Sequence, residues 1–328
     1  MIRYFKTGKF LMEFMLILFL ILSTSFNIAS AKIHPDAGKT SAAFLKIPLG
    51  TRASSMGGGY GAVIGDTFCL FYNPAGMAAI EKKTLAFMHN IHFEDIKQYV
   101  FVYGFQPDLR YDNKDFISFS FNYLTYGYFE RRSGLYEADP SNPSPVEGGF
   151  KAKDLAFTVN YSSIFSTSVI LGGNIKYINQ SIDDESSSSF AFDIGGIKKI
   201  KINNSDFNIG FSVLNAGLKI KMASKSYPLP LAFKLGFSKE YKRSLFTFDI
   251  LKYIDNYPFL IVGFENRITK ELYLRAGYRY RIYGNELGFW SGFSSGFGFN
   301  YHDISFGYSI TSYGDLGYSH KIDIKIWY

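Results

Sequence analysis

Cysteine and charged residues are scarce in this 328-residue chain, and each shortage excludes a class of protein. Cys69 is the only cysteine, so no internal disulfide can form. It lies far from the N-terminus and outside a lipobox-like sequence, which argues against lipid attachment. Charged residues make up 19% of the chain, and the net charge of +7 is dispersed. Without a basic block or zinc-finger spacing, the sequence predicts no nucleic-acid partner.

Long apolar runs are also scarce, apart from one near the N-terminus. Three basic residues precede the run FLMEFMLILFLIL, and Ala-Ser-Ala at 29–31 matches a small-residue cleavage site. This pattern predicts a secretory signal peptide over residues 1–31. The alternative is a retained membrane anchor, which Glu13 within the run disfavours. No second run of about 18 apolar residues follows, so the sequence predicts no transmembrane helix.

Aromatic residues, in contrast, are abundant. The chain has 25 Tyr and 34 Phe, together with 31 Gly, and its mean hydropathy is −0.01. Neutral hydropathy combined with many aromatic residues suits a β-barrel with an apolar outer band and a polar interior.

Apolar and polar residues alternate with period two from about residue 84 to the end. The last residues, KIDIKIWY, place Ile322 and Ile324 on one face and Lys321, Asp323 and Lys325 on the other. Alternation of this kind predicts strands, and many are long enough for a tilted transmembrane strand, which needs about 9–11 residues. About 14 strands are predicted, over residues 84–93, 96–107, 115–130, 148–161, 167–182, 188–203, 205–221, 228–240, 243–254, 257–268, 270–282, 291–300, 302–312 and 316–328.

The predicted connections favour a barrel in the outer membrane. Those after predicted strands 4, 6, 8, 10 and 12 are tight, and those after strands 3, 5, 7 and 11 are longer, as in outer-membrane barrels with short periplasmic turns. The connection after strand 2 is long, and those after strands 1, 9 and 13 are short, which departs from this pattern. A β-sandwich would also alternate, with its apolar face as the core. The signal peptide and the aromatic C-terminal strand favour the barrel over the sandwich.

Charged residues recur on the polar face of the predicted strands, which would line the barrel. One interpretation is a selectivity lining, and the other is a network of ion pairs that fills the interior. The predicted lumen charges are Lys176, Lys234, Asp249, Glu265, Arg275, Arg279, Arg281, Asp323 and Lys325.

Catalytic and cofactor motifs do not stand out. The glycine-rich stretch 50–77 lacks a P-loop pattern, and Gly57, Gly59 and Ala62 match a dinucleotide fingerprint without its strand–helix context. His89 and His92 are three residues apart, which on a strand places them on opposite faces. No G-x-S-x-G is present. The sequence therefore predicts no enzyme, no cofactor and no metal site.

The same glycine-rich stretch carries a family resemblance. The sequence from AGKTSAAFLKIPLGTRASSMGGG to YNPAGMAAI resembles the N-terminal signature of the PorV/PorQ family within the FadL-like (OMPP1/FadL/TodX) group of outer-membrane proteins. LNAGLKI at 214–220, LPLAFKLGFS at 229–238, LRAGYR at 274–279 and SYGDLGYSHKIDIKIWY at 312–328 resemble its later segments. The chain departs from the pattern at Gly59, Gly65 and Cys69.

The resemblance implies an all-β fold, a 14-stranded antiparallel transmembrane barrel with an N-terminal plug in its lumen. It divides the chain into the signal peptide (1–31), the plug (32–82) and the barrel (83–328). The implied plug or gating residues are Gly50, Arg52, Met56, Gly57, Gly58, Gly59, Asp66, Asn73, Pro74, Ala75 and Gly76. We expect the glycines to permit tight bends, Asn73-Pro74 to fix a turn, and Arg52 and Asp66 to pair with lumen charges such as Asp249 or Arg275.

 Asp249 carries the charge opposite to that of Arg52, and Arg275 the charge opposite to that of Asp66.

The resemblance also implies two functions. FadL-like members pass hydrophobic compounds across the outer membrane, which predicts plug-gated uptake or handling of hydrophobic small molecules. PorV-like members bind secreted protein cargo in type IX secretion, which is the alternative. The expected location is the bacterial outer membrane. The expected partners are outer-membrane lipids, the barrel-assembly machinery, and either hydrophobic small molecules or secreted proteins.

Overall fold

The computed structural model describes residues 32–108, 115–132, 144–202, 205–222, 224–283, 288 and 290–328. The predicted signal peptide at 1–31 lies outside the described residues. Fourteen antiparallel strands form a closed barrel in which each strand pairs with its sequence neighbours and the last strand pairs with the first. The closed sheet confirms the barrel and excludes the sandwich. Among the described residues, no helix is long and apolar enough to cross a membrane.

The strands are close to those predicted. The described residues form sixteen strands, namely β1 Thr84–Ile91, β2 Lys97–Phe105, β3 Asp115–Arg132, β4 Val146–Ser166, β5 Val169–Ile182, β6 Glu185–Ile202, β7 Ser205–Gly217, β8 Ile220–Met222, β9 Lys225–Tyr227, β10 Ala232–Tyr241, β11 Ser244–Tyr253, β12 Phe259–Arg267, β13 Leu272–Arg281, β14 Phe293–Tyr301, β15 Ile304–Ser312 and β16 Tyr318–Trp327. All except β8 and β9 belong to the barrel, and those two form a separate hairpin.

Two details of the strand prediction are wrong. The predicted strand 205–221 ends at Gly217, and its last residues begin the β8–β9 hairpin. The connection after β5, expected to be long, is a two-residue turn at 183–184, because β6 begins at Glu185 within the serine run. Asp183 in this turn has a φ of 56°, the left-handed conformation that two-residue hairpin turns favour.

The alternation places the charged face inside. On β16, Lys321, Asp323 and Lys325 are buried, whereas Ile322 and Ile324 are 44% and 46% exposed. The same inversion holds on β10, where Lys234 is buried and Phe233 and Phe237 are exposed. A water-soluble fold would bury the apolar face, so this arrangement requires an apolar solvent around the barrel.

The two ends of the barrel differ. At one end, here called the short-turn end, most connections have two residues, as at 167–168, 242–243 and 302–303. The other end, here called the long-connection end, carries the connections at 218–231 and 282–292. The chain enters β1 and leaves β16 at the short-turn end. Because short turns lie at one end and longer connections at the other, the barrel has the asymmetry of outer-membrane barrels.

The N-terminal segment, residues 32–83, consists of short turns and helices. Its elements are a 3-10 helix at Ala43–Lys46, the α-helix α1 at Thr51–Ser55, and 3-10 helices at Cys69–Phe71 and Pro74–Ala79. The six glycines of 50–72 and the proline at 74 leave no room for a long helix, because glycine and proline both weaken helices. Most of residues 49–80 are buried.

Candidate functional site

The N-terminal segment passes among the inward-facing side chains of the barrel. Near the long-connection end, the backbone amide of Lys32 donates to the carbonyl of Tyr283, and that of Ala42 donates to Oε1 of Gln180. At the short-turn end, Lys83 and Tyr328 exchange backbone hydrogen bonds. The segment therefore runs through the interior from one end of the barrel to the other.

Inward side chains satisfy the backbone of this segment on several sides. Asn174 on β5 donates to the Leu70 carbonyl at 2.8 Å, and Ser212 on β7 donates to the Tyr72 carbonyl at 2.8 Å. Lys234 on β10 donates to the Gly58 carbonyl at 2.8 Å. Because irregular backbone lacks internal partners, these strand side chains take the place of water.

Glycines on the strands let the segment approach the wall. A Cβ added to Gly277 on β13 would lie 2.2 Å from the carbonyl carbon of Met56 and 2.3 Å from the nitrogen of Gly57. Within the segment, Gly50 has a φ of 79°, and a Cβ there would lie 2.5 Å from Cγ of Phe68. The predicted role of Gly50 in bending the chain thus coincides with a positive φ.

Asn73 and Pro74 start the last 3-10 helix, as an N-cap followed by proline. The Asn73 side chain accepts from the amide of Ala75 and donates to the carbonyl of Gly61 at 2.7 Å and to that of Gly196 at 3.2 Å. One side chain therefore fixes the turn, ties it to the glycine-rich stretch and attaches it to β6. The sequence predicted the turn but not the attachment.

Arg52 and Asp66 join the segment to β12 and β16, and through Glu265 to β13. Arg52 forms two hydrogen bonds with Glu265 on β12, at 2.8 Å and 2.7 Å, and its Nη1 lies 3.7 Å from Oδ2 of Asp66. Asp66 pairs with Lys325 on β16 at 2.6 Å, and Glu265 also pairs with Arg275 on β13 at 2.6 Å. The expected partners were wrong in detail, because Asp249 pairs instead with Lys234 at 2.8 Å.

Most of the other predicted lumen charges are also paired. Lys176 lies 2.7 Å from Asp193, and Asp323 accepts hydrogen bonds at 2.7 Å from both the amide and the hydroxyl of Thr51. Arg279 differs, since no ion pair joins it to a carboxylate in the described part of the chain. The pairing of these charges favours the interpretation as an ion-pair network that fills the interior over that as a selectivity lining.

Sequence reasoning missed several inward polar residues. A hydrogen-bonded row crosses four strands, from Lys321 through Ser319 to Asn90, and from Asn90 through Gln98 to Asn122. Strand alternation could have identified these residues, because each shares the inward parity of its strand. Asp255, which accepts from Thr40 at 2.6 Å and pairs with Lys46, lies in a connection and had no periodic signal.

A cavity of about 240 Å³ remains at the long-connection end, beside the N-terminal segment. Its lining includes Arg279, Arg281, Ser54, Phe259 and Tyr313. A second space, of about 40 Å³, lies across Pro48 and Arg279 from the first. Among the described residues, no group of three His, Cys, Asp or Glu side chains could hold a metal ion.

Known structures share this architecture. The Pseudomonas putida toluene transporter TodX matches with a TM-score of 0.60 and 12% identity, over 84% of this chain and 96% of its own. The Ralstonia pickettii toluene transporter TbuX matches with a TM-score of 0.60 and 12% identity, over 85% and 97%. A Pseudomonas aeruginosa FadL homologue matches at 0.55 and 13%, over 85% and 98%. At these identities the likeness shows the fold.

The sequence comparison identifies the family. No curated protein matches the chain. Residues 31–245, more than half of the chain, match the family described as "Type IX secretion system protein PorV". Together with the closed barrel, its apolar outer face and its FadL-like neighbours, this match places the protein in the bacterial outer membrane. The chain belongs to the PorV family of outer-membrane β-barrel proteins.

Proposed function

We propose that this protein is an outer-membrane component of type IX secretion that binds secreted proteins at its long-connection end. The observation that carries the proposal is the filled lumen. The N-terminal segment crosses the interior and bonds to β5, β7, β10, β12 and β16, which leaves no passage for a folded protein. Membership in the PorV family supports a secretion role, and the fold supports a non-enzymatic barrel.

The long-connection end offers exposed surface for a protein partner. Strands β3 and β4 have 18 and 21 residues, about twice the length needed to cross a bilayer, so they extend beyond it. The residues at their outer ends, including Glu130, Arg131 and Arg132, are exposed. In the long connection between β7 and β10, Leu218 is 70% exposed before the β8–β9 hairpin. Exposed apolar residues mark candidate interaction sites, and a polar rim is common around them.

A deletion strain tests this function. Without the protein, we expect a defined set of exported proteins to accumulate in the periplasm and to disappear from the cell surface and medium, as measured by quantitative mass spectrometry of the three fractions. Complementation with the full-length gene should restore the distribution. Cross-linking through exposed positions on β3 and β4 should capture one or more of the same proteins. An unchanged surface and secreted proteome would reject the proposal.

Hydrophobic small molecules are the second candidate. The solved relatives TodX and TbuX are described as toluene transporters, and the cavity beside Phe259 and Tyr313 is a space for a small molecule in the same fold. Such a solute would need a route through the wall or past the segment. The strand ladders pair along all 14 neighbouring edges, and the few register shifts, such as that between Thr125 and Tyr128, do not separate the strands.

Liposome uptake tests the second candidate directly. Vesicles containing the purified barrel would be compared with protein-free vesicles for entry of toluene and of a medium-chain fatty acid. Faster entry that depends on the protein would favour small-molecule transport. Entry at the rate of the protein-free vesicles would remove this candidate while leaving the secretion proposal intact.

A further inference from the structure

The cavity of about 240 Å³ has an unusual balance of charge. It lies between Pro48 and Ser54 of the N-terminal segment and the ends of β13 and β15, where Arg279, Arg281, Ser312 and Tyr313 contribute to its lining. Two arginines and several hydroxyl groups line it, and no described lining residue is acidic. Elsewhere in the lumen, buried cations such as Lys176 and Lys325 lie beside carboxylates. Arg279 is the lining cation that has no carboxylate beside it in the described part of the chain.

Arg279 has an incomplete set of hydrogen bonds. Its Nε is buried and has no hydrogen-bond partner in the described part of the chain. Its guanidinium lies 5.5 Å from the centre of the Phe259 ring, a contact that holds the side chain in place but accepts no hydrogen bond. A buried charged donor without an acceptor is costly, so the position favours an anion from outside the chain.

The surroundings of Arg279 reinforce this requirement. Lys321 is fully buried, its amino group donates to the hydroxyl of Ser319, and it lies within the electrostatic reach of Arg279. Lys234 also lies within the electrostatic reach of Arg279, although Asp249 neutralises it. Positive charges in a space walled by protein attract an anion more strongly than the same charges in water.

We propose that this cavity binds a small molecule bearing an oxyanion, a carboxylate or a phosphate, with Arg279 as its main ligand. Guanidinium groups bind both anions through paired, charge-assisted hydrogen bonds, and the hydroxyls of Ser312 and Tyr313 supply neutral donors. The volume is below the range of about 300–1,000 Å³ typical of drug-sized ligands. It suits a small anion rather than a long acyl chain. The site is independent of the proposed secretion function.

Titration calorimetry on the purified barrel tests the site, with inorganic phosphate and acetate as separate probes. We expect the wild-type protein to bind at least one of them, and the stronger of the two identifies the oxyanion. Arg279→Gln should weaken binding by at least about tenfold, because it removes the charged donor. Ser312→Ala, which keeps the arginine, should weaken it by a smaller factor. Heat-modifiable migration in detergent gels checks that each variant retains the barrel.

Arg267→Gln is the matched control, because Arg267 is exposed at the short-turn end of β12 and lies away from the cavity. It should bind the probe as the wild type does. Absence of binding of both probes to the wild type would overturn the proposal, as would equal binding by Arg279→Gln. Binding of dodecanoate but of neither small anion would overturn the assignment of a small ligand. None of these outcomes bears on the secretion proteome.

Discussion

Arg52 in the N-terminal segment and Glu265 on β12 form a two-point ion pair, with Nε to Oε2 at 2.8 Å and Nη2 to Oε1 at 2.7 Å. Both side chains are largely removed from solvent. Glu265 is shared with Arg275, so one carboxylate joins the segment to two neighbouring strands. The pair is therefore a direct charged link between the segment and the barrel wall, beside that of Asp66 with Lys325.

Arg52→Ala should loosen the segment. Removing one partner of a buried pair costs about 3–5 kcal/mol, because the remaining charge is left uncompensated. Glu265 retains Arg275, so we expect the lower part of this range. Cys69, the only cysteine, is fully buried within the segment and reports its position. Maleimide labelling of Cys69 in intact vesicles should be slow in the wild type and faster in Arg52→Ala.

Asp66→Asn tests the second ion pair between the segment and the wall. It weakens the contact with Lys325 and leaves the Arg52–Glu265 pair in place. Arg131→Ala, at an exposed position on β3, is the control and should leave labelling unchanged. Labelling of both lumen variants at the wild-type rate would show that these ion pairs do not retain the segment.

A methyl group on the inner wall should displace the segment without changing any charge. In Gly277→Ala, the added Cβ would overlap the backbone of Met56 and Gly57, at 2.2 Å and 2.3 Å, and backbone cannot move aside as a flexible side chain can. We expect faster labelling of Cys69 and a lower unfolding temperature. The measurements are maleimide kinetics and thermal unfolding in detergent.

Gly196→Ala is the matched control for this substitution. Gly196 is also a strand glycine, on β6, but its nearest neighbour is the side-chain Cδ2 of Leu171 at 3.3 Å. A leucine side chain can shift by a few tenths of an ångström, so this variant should resemble the wild type. Equal behaviour of the two alanine variants would argue against close packing between β13 and the segment.

Acid should release the first part of the N-terminal segment. Burial raises the pKa of Asp255, but hydrogen bonds from Lys46 and Thr40 outweigh it and leave the pKa below its usual value. Because the pKa is lower in the folded state, the stabilisation is present above the unfolded pKa of about 4 and is lost as the pH falls below it. A spin label at Ile33→Cys, in a Cys69→Ser background, should become more mobile between about pH 5 and pH 3.

Asp255→Asn removes the charge at every pH. Its spin-label spectrum at pH 7 should resemble the acid spectrum of the parent protein and should change little on acidification. A label in Asp255→Asn that is as immobile as in the parent would show that the contact of Asp255 with Lys46 and Thr40 does not anchor the segment.

The membrane-facing surface can be tested on one strand. Ile322 and Tyr318 both face outward on β16, and Ile322 lies near the middle of the strand while Tyr318 is its first residue. Arginine on the lipid face costs about 2–4 kcal/mol at the bilayer midplane and about 0–1 kcal/mol near its edges. Ile322→Arg should therefore destabilise folding into liposomes much more than Tyr318→Arg, as measured by reversible denaturant titration. Equal effects would contradict the membrane position of β16.

The strands could be predicted from the sequence because a barrel imposes the same period on every strand. The alternation around Lys321, Asp323 and Lys325 fixes both the strand and the face that is buried. The β8–β9 hairpin was missed because its three-residue strands are too short to establish a period. The start of β6 was misplaced because its serine run has no alternation.

The sequence could predict that charged residues of the N-terminal segment pair with charges of the barrel lumen, but not which residues they pair with. Its short turns have no period, so nothing in the sequence states which strand Arg52 or Asp66 will face. Their partners, Glu265 and Lys325, depend on how the closed barrel brings strands far apart in sequence to the same depth. For the same reason the cavity at Arg279 was not predicted, since it is a property of how the segment and the wall fit together.

The contact between Thr51 and Asp323 joins an early part of the chain to its last strand. These residues are 272 positions apart, so the first part of the mature chain finds this partner only in the last strand. Contacts between residues distant in sequence form late in folding, because closing the intervening loop carries an entropic cost. We therefore expect Thr51, although it is synthesised early, to make this contact only after β16 has been synthesised, whereas the contacts of the same segment with β5 and β7 need less of the chain.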